Sequence, residues 1–365
     1  MQPQPTGSRS ERRQALTMLT SGVAFIAAVM WMLFTAAPYA VQSPGPTINT
    51  LGEYHDTPLI TIEGVETYPD DDSELRITTV VAAGGPGYPV NVPQAIRGWF
   101  DSTSTVLPRE ALYAPEVTRE EMDQSAQQQM SRSQHDATIM ALAELDIDVP
   151  VELFVAGTDP QSAAHAVLRE GDHIEAISAP DHGRTEIEVY PDLAGVLAAT
   201  PPGTDVTVHI ERDGEPEDVT FATGDDGFGG SMLGVFLNPD FDMPFEVDIE
   251  VEKVGGPSAG TMFALGIIDL LTPGPLAGEH AVAGTGTIGL NGRVGPIGGI
   301  KQKMHGALRD GAEYFLAPGQ NCPQVQGNIP GGLTVLRVDT LEDAVTAVDA
   351  VRAGDVTDLP TCEDG

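Results

Sequence analysis

Between Ala15 and Ala37 the chain reads "ALTMLTSGVAFIAAVMWMLFTAA", without one charged residue. As a helix this run spans about 35 Å, enough to cross the hydrocarbon core of a bilayer. Arg9, Arg12 and Arg13 flank it on one side only, so that end is expected to stay cytoplasmic. A cleaved signal peptide is the alternative. Its apolar core would normally be shorter, and Pro38 follows the best small-residue site, which disfavours cleavage. The expectation is a cytoplasmic tail (1–14), a single transmembrane helix (15–37), and everything after residue 40 on the extracytoplasmic side of the cell membrane.

Two cysteines, Cys322 and Cys362, fit that compartment, because a pair in an oxidising space can close a disulfide while two cysteines alone make no zinc site. The eight histidines are scattered and show no HExxH spacing, so no metal and no cofactor is expected. No GxxxxGK[ST] loop occurs, which argues against P-loop use of ATP. Against 54 acidic residues stand 18 basic ones, a net charge of −36, and nucleic acid is excluded as a partner because a phosphate backbone needs a basic face. The carboxylates read as a solvated surface.

Residues 41–71 are rich in Pro, Gly, Asp and Thr and read as a stalk with short strands. "LRITTVVAA" (75–83) is a β-branched run typical of a buried strand. Residues 118–145 have helical composition with an acidic first turn. From about 146 to 224 the pattern changes to short strands around two small helices, with Asp213-Gly214 marking a hairpin. Here "SAAHAVLREGDHIEAI" and "PPGTDVTVHIERDG" resemble bacterial PDZ domains, which bind extended peptide ends along a sheet edge. A β-rich module without a peptide ligand is the plainer reading of the same stretch.

"FEVDIEVE" (245–252) alternates cleanly, and its carboxylates fit a strand's solvent face. "KVGGPSAG" and then "TMFALGIIDLL" follow, read as a glycine turn and a buried helix with Gly256 and Pro257 at its cap and first turn. Ser258 then lies at the helix N-terminus, where unpaired backbone N–H groups, including those near Gly256 and Ala259, can stabilise an oxyanion. "GPSAG" also fits the nucleophile elbow of α/β-hydrolases, with Asp269 and His280 or His305 as the remaining members of a triad. That reading lacks the preceding βα units.

Lysine supplies the other candidate base. Of the 18 basic residues only Lys253, Lys301 and Lys303 are lysine. Lysine, unlike arginine, can give up its proton near neutral pH when buried. Two of the three stand in "GGIKQK" (298–303), opening a predicted helix, "IKQKMHGALRDGA". Periodicity does not choose between them, because both lie near the edges of the stripe Ile300, Met304, Ala307.

Over roughly 230–350 the chain resembles the proteolytic domain of Lon peptidases. The resemblance rests on Gly-Pro-Ser-Ala-Gly around Ser258, on "GGIKQK", and on Thr285 in a Thr-Gly eighteen residues before the second lysine. It implies a Ser–Lys dyad of Ser258 and Lys303, with Thr285 orienting the amine. Gly255, Thr287 and Gln302 depart from the acidic residues that Lon proteins carry there. With the anchor and the PDZ-like stretch, the chain resembles the PDZ-containing Lon-like serine proteases of bacterial membranes. That implies an α+β fold in which residues 38–145 form the stalk and the first part of the protease fold. The PDZ module (146–224) is expected inside it, followed by the proteolytic domain (230–350) and an acidic tail (351–365). It also implies an ATP-independent endopeptidase acting on proteins or peptides, and a homo-oligomeric ring, a hexamer. A catalytically silent scaffold that recruits peptides to the membrane is the rival reading.

Overall fold

The computed structural model describes residues 9–69, 73–114, 116–251 and 254–363; Lys253 lies outside them. Helix α1 (Arg9–Phe34) carries most of the uncharged run. It is long and apolar enough to cross a membrane, a test that a signal sequence also passes.

The stretch expected as a stalk is largely sheet. Strand Tyr39–Asn49 sits inside a six-stranded sheet, between Glu74–Ala83 and the edge strand Thr105–Pro108, antiparallel to both. Its prolines and glycine, which suggest a linker in the sequence, are absorbed where the register shifts between Pro44 and Thr47, a place that needs no proline N–H. On the other side of Glu74–Ala83 run Ala281–Gly284, Tyr314–Pro318 and Thr334–Val338, all parallel. The β-branched strand is buried at Leu75, Ile77 and Thr78 but exposed at Val81, because Ala281–Gly284 pairs only with its first half.

Helix α2 (Val92–Phe100) packs on the strand Tyr39–Asn49. Helix α3 (Arg119–Glu144) starts at a capping box made by Thr118 and Glu121, as its acidic first turn suggests. Its second half lies against the helix that follows the glycine turn.

The chain then leaves the first sheet and builds a second one. Its order is Glu215–Ala222, Asp205–Arg212, His173–Ala179, Val151–Thr158 and Val235–Phe241, with Gly183–Glu186 beside His173–Ala179. Asp213 and Gly214 take φ values of 55° and 83°, the turn their dipeptide predicts. Helix α4 (Tyr190–Ala199) closes a separate core with Leu153, Ile174, Ile177, Val208 and Phe221. The expected boundary at 224 falls short. Val235–Phe241 pairs along Val151–Thr158, so this module ends near 241, not before 230. As an edge strand it has only half-buried apolar positions and a proline, Pro239, and so shows no apolar run in the sequence. All strands of the second sheet lie between the two halves of the first.

Helix α5 (Gly260–Leu271) is buried along all but its last residue, as a helix apolar nearly all round should be. It packs beside Leu75, Ile77, Val282 and Leu316 in the main core. Helix α6 (Ile300–Arg309) covers the strand Tyr39–Asn49. After the short α7 (Cys322–Val325), α8 (Leu341–Ala353) ends at Gly354, which takes φ 73°.

Cys322 is joined to Cys362 across a separation of 40 residues. The C-terminal segment is held by more than this bond, since Arg337 N–H donates to Pro360 O at 2.9 Å and Gln326 Nε2 to Cys362 O at 2.8 Å. A loop of that length stabilises by about 3–4 kcal/mol in the chain-entropy model. Non-reducing mass spectrometry should find the two thiols linked, and Cys362→Ser should lower the unfolding midpoint. Two free, alkylatable thiols would refute the bond.

Candidate active site

Ser258 does not stand where its motif suggests. The first helical residue of α5 is Gly260 and its cap is Ala259, so Gly256 and Pro257 are neither cap nor first turn. The reason is local. In the first turn of a helix, Ser258 would feed its carbonyl into the helical hydrogen bonds. Instead that carbonyl accepts from Gly286 N–H at 3.0 Å and from Thr285 Oγ1 at 2.9 Å. Thr261 N–H in turn donates to Gly286 O at 3.2 Å, so Gly286 grips both sides of the serine turn. Only glycine fits there: at φ 155°, an added Cβ would lie 2.5 Å from Thr261 Oγ1 and 2.6 Å from Val294 Cγ1.

The lysine arrives from α6. Gly299, at φ 71°, turns the chain into that helix, and a Cβ there would come within 2.8 Å of Val80 Cγ2. The start of α6 thus presses on the exposed half of strand Glu74–Ala83. Lys303 points inward and is 3% exposed, whereas Lys301 is half-buried on another side of the helix. Lys303 Nζ lies 2.8 Å from Ser258 Oγ and 2.7 Å from Thr285 Oγ1. Burial strips the amine of solvation and lowers its pKa to about 7.

The hydrogen-bond inventory sets the protonation pattern. Thr285 has one hydroxyl proton, and it goes to the Ser258 carbonyl. Thr285 Oγ1 must therefore accept from Nζ–H. A neutral amine held that way keeps its lone pair for another partner, and Ser258 Oγ–H is the one within reach.

The site opens into a cleft of about 810 Å³. Its walls include Thr47 and Asn49 from the first strand, Val80 and Val81 from the second, Met130 from α3, and Tyr54. No motif marks these residues, and the strand that brings Thr47 and Asn49 reads as a stalk in the sequence.

Gly256 does not serve an oxyanion: its N–H already donates to Ala126 O on α3 at 3.1 Å. Among the described residues no acceptor takes the backbone N–H of Ser258 or Ala259. The same approach of α3 accounts for Gly255, where a Cβ would meet Ala126 Cβ at 2.7 Å. Gln302 is buried away from the dyad and ties α6 to the edge strand through Thr105 Oγ1 at 2.7 Å. Thr287 lies in a two-stranded ribbon with Gly295.

The hydrolase-elbow alternative fails on geometry. Asp269 is buried in α5, accepting from Ser73 Oγ at 3.0 Å and Leu276 N–H at 2.8 Å. His280 pairs with Glu313 at 3.0 Å, and neither side chain approaches Ser258. His305, on α6, does not line the cleft at Ser258, whose hydroxyl is met by Lys303 instead.

Fold and site together define an α+β domain that presents a serine hydroxyl to a buried, near-neutral amine. Residues 249–350 match the Lon protease (S16) C-terminal proteolytic domain. A Lon protease of Azospirillum brasilense is 40% identical over 93 residues, covering 25% of this chain and 11% of that protein. Lon protease 2 of Sorangium cellulosum is 28% identical over 207 residues, covering 48% and 25%. The Lon protease of Escherichia coli is 30% identical over 168 residues, covering 44% and 21%. The chain thus spans at most a quarter of these relatives' length. Among solved structures, the PDZ domain of an SdrC-like protein from Listeria monocytogenes covers 23% of this chain and 85% of its own, at 17% identity and a TM-score of 0.21.

Proposed function

We propose that this chain is a membrane-anchored serine endopeptidase, with its catalytic domain outside the cytoplasm and no requirement for ATP. The observation that carries the reading is Lys303 Nζ at 2.8 Å from Ser258 Oγ with a pKa of about 7. An amine tuned to neutral pH beside a hydroxyl is suited to general-base work. In this mechanism Ser258 Oγ attacks the peptide carbonyl carbon while its proton moves to Lys303 Nζ. The negative oxygen that forms faces the N–H groups of Ser258 and Ala259. As the C–N bond breaks, Nζ returns the proton to the leaving amine, which gives an acyl ester on Ser258. Water then attacks the ester, its proton passing to Nζ and back to Oγ as the acid product leaves. Thr285 holds the amine in place, its own proton committed to the Ser258 carbonyl.

The second sheet suits a PDZ-type role in choosing substrate. A groove of about 880 Å³ runs between α4 and the strand Val235–Phe241, with Leu193, Leu197, Leu233 and Leu237 along it. Arg293 of the proteolytic domain also lines it, so a bound peptide would touch both modules. The rival, a silent scaffold, uses this groove without turnover.

Incubating the full chain with a flexible protein separates the two. Cleavage should occur, stay unchanged on adding ATP, and vanish in Ser258→Ala. Binding without cleavage by the unsubstituted chain would favour the scaffold, and nucleotide-stimulated cleavage would sink the ATP-independent reading.

A further inference from the structure

Helix α2 is packed inside out. A helix on a globular domain usually turns its large apolar residues to the core and its small or polar ones to water. Here the buried residues are Ala95 and Gly98, while Ile96, Trp99 and Phe100 are 42%, 56% and 88% exposed. The close packing requires small residues: a Cβ on Gly98 would lie 2.8 Å from Val106 Cγ2 and 3.1 Å from Val41 Cγ1. At 100° per residue, Trp99, Val92, Ile96, Phe100 and Pro93 share one arc of about 120°, and Gln94 and Arg97 lie beyond it. Val92 is half-buried and Tyr39 lies against Trp99, but the outer part of the arc, Ile96 and Phe100, points away from the protein and is left uncovered among the described residues.

Its position says what does. Ala37 N–H, three residues after α1 ends, donates to Val90 O at 2.7 Å, and Ala36 bridges to Asn91, the cap of α2. The start of α2 is therefore tied to the exit of the apolar helix. Both tryptophans of the chain are found here, Trp31 near the end of α1 and Trp99 on α2, with Tyr39 edge-on to Trp99 at a centroid distance of 5.2 Å. Tryptophan and tyrosine favour the boundary between lipid headgroups and acyl chains.

We infer that α2 is a membrane-surface helix: its Ile96–Trp99–Phe100 face inserts into the headgroup–acyl boundary beside α1 and holds the proteolytic domain against the bilayer. This rests on α1 being an anchor. A net charge of −36 makes electrostatic adhesion to an anionic leaflet unfavourable, so the contact depends on apolar insertion and does not require anionic lipid.

Two single-tryptophan chains test it in phosphatidylcholine vesicles whose acyl chains are brominated near the headgroups. In full-length Trp31→Phe, Trp99 should lose about half or more of its emission relative to unbrominated vesicles, as insertion of roughly 5–10 Å requires. Adding Phe100→Glu and Ile96→Glu should abolish that loss. In full-length Trp99→Phe, quenching of Trp31 reports the anchor separately. Quenched Trp31 with unquenched, water-like Trp99 overturns the surface helix and leaves the anchor standing. Unquenched emission from both overturns the two readings together. A blue-shifted but unquenched Trp99 places a protein surface over α2 and also overturns the proposal.

Discussion

Lys303→Arg should lower kcat for peptide cleavage by about 10³-fold or more, whereas Lys301→Arg should retain most of it. The two residues stand two positions apart on α6, yet only Lys303 is buried and within 2.8 Å of Ser258 Oγ. Arginine keeps the charge and removes the function, because a guanidinium does not release its proton in a protein and has no lone pair to offer the serine. A larger buried group can also disturb folding, so Lys303→Met is the companion variant. It is close in length, carries no charge and should fold, and it should be as inactive as the arginine variant. Circular dichroism and cleavage measured on all three chains decide the matter. An active Lys303→Met, or an inactive Lys301→Arg with Lys303→Arg intact, would show that the base is another group.

How far the sequence reaches is visible in these same residues. Strong, local signals read correctly: the helicity of the uncharged run in α1, the capping box of Thr118 and Glu121, the Asp213-Gly214 turn and the apolar α5 all depend on neighbours in the chain. The inward lysine is a different case. Its helix is legible, but the face it buries depends on Gly299 pressing against Val80, a contact from a strand over two hundred residues earlier. The serine turn is similar. "GPSAG" suggests a helix cap until Thr285 and Gly286 take the Ser258 carbonyl, which no local pattern encodes. Strand Tyr39–Asn49 is obscured by its own prolines, and with it the cleft wall of Thr47 and Asn49. Edge strand Val235–Phe241 is hidden by half-burial. Long-range pairing decided each of these, and a residue's own neighbours carry little record of it.

Activity should rise with pH through about 7 and fall roughly tenfold per unit below it, because only the neutral form of Lys303 accepts the serine's proton. Stability should move the same way. Burial lowers the folded-state pKa from 10.5 to about 7, so between those values the unfolded chain binds a proton that the folded chain does not. Stability therefore increases with pH across that window. Below about pH 7 the folded state carries the full cost of a buried ammonium, on the order of 5 kcal/mol as an upper figure. Lys303→Met removes this cost. Its unfolding midpoint should exceed that of the unsubstituted chain at pH 7, and the gap should close as pH approaches 10.5. Measuring both chains across that range cancels the titration of the other ionisable groups. A gap that is absent at pH 7, or that widens as pH rises, would mean the amine is not held neutral by burial. The catalytic pH profile would then need a different titrating group.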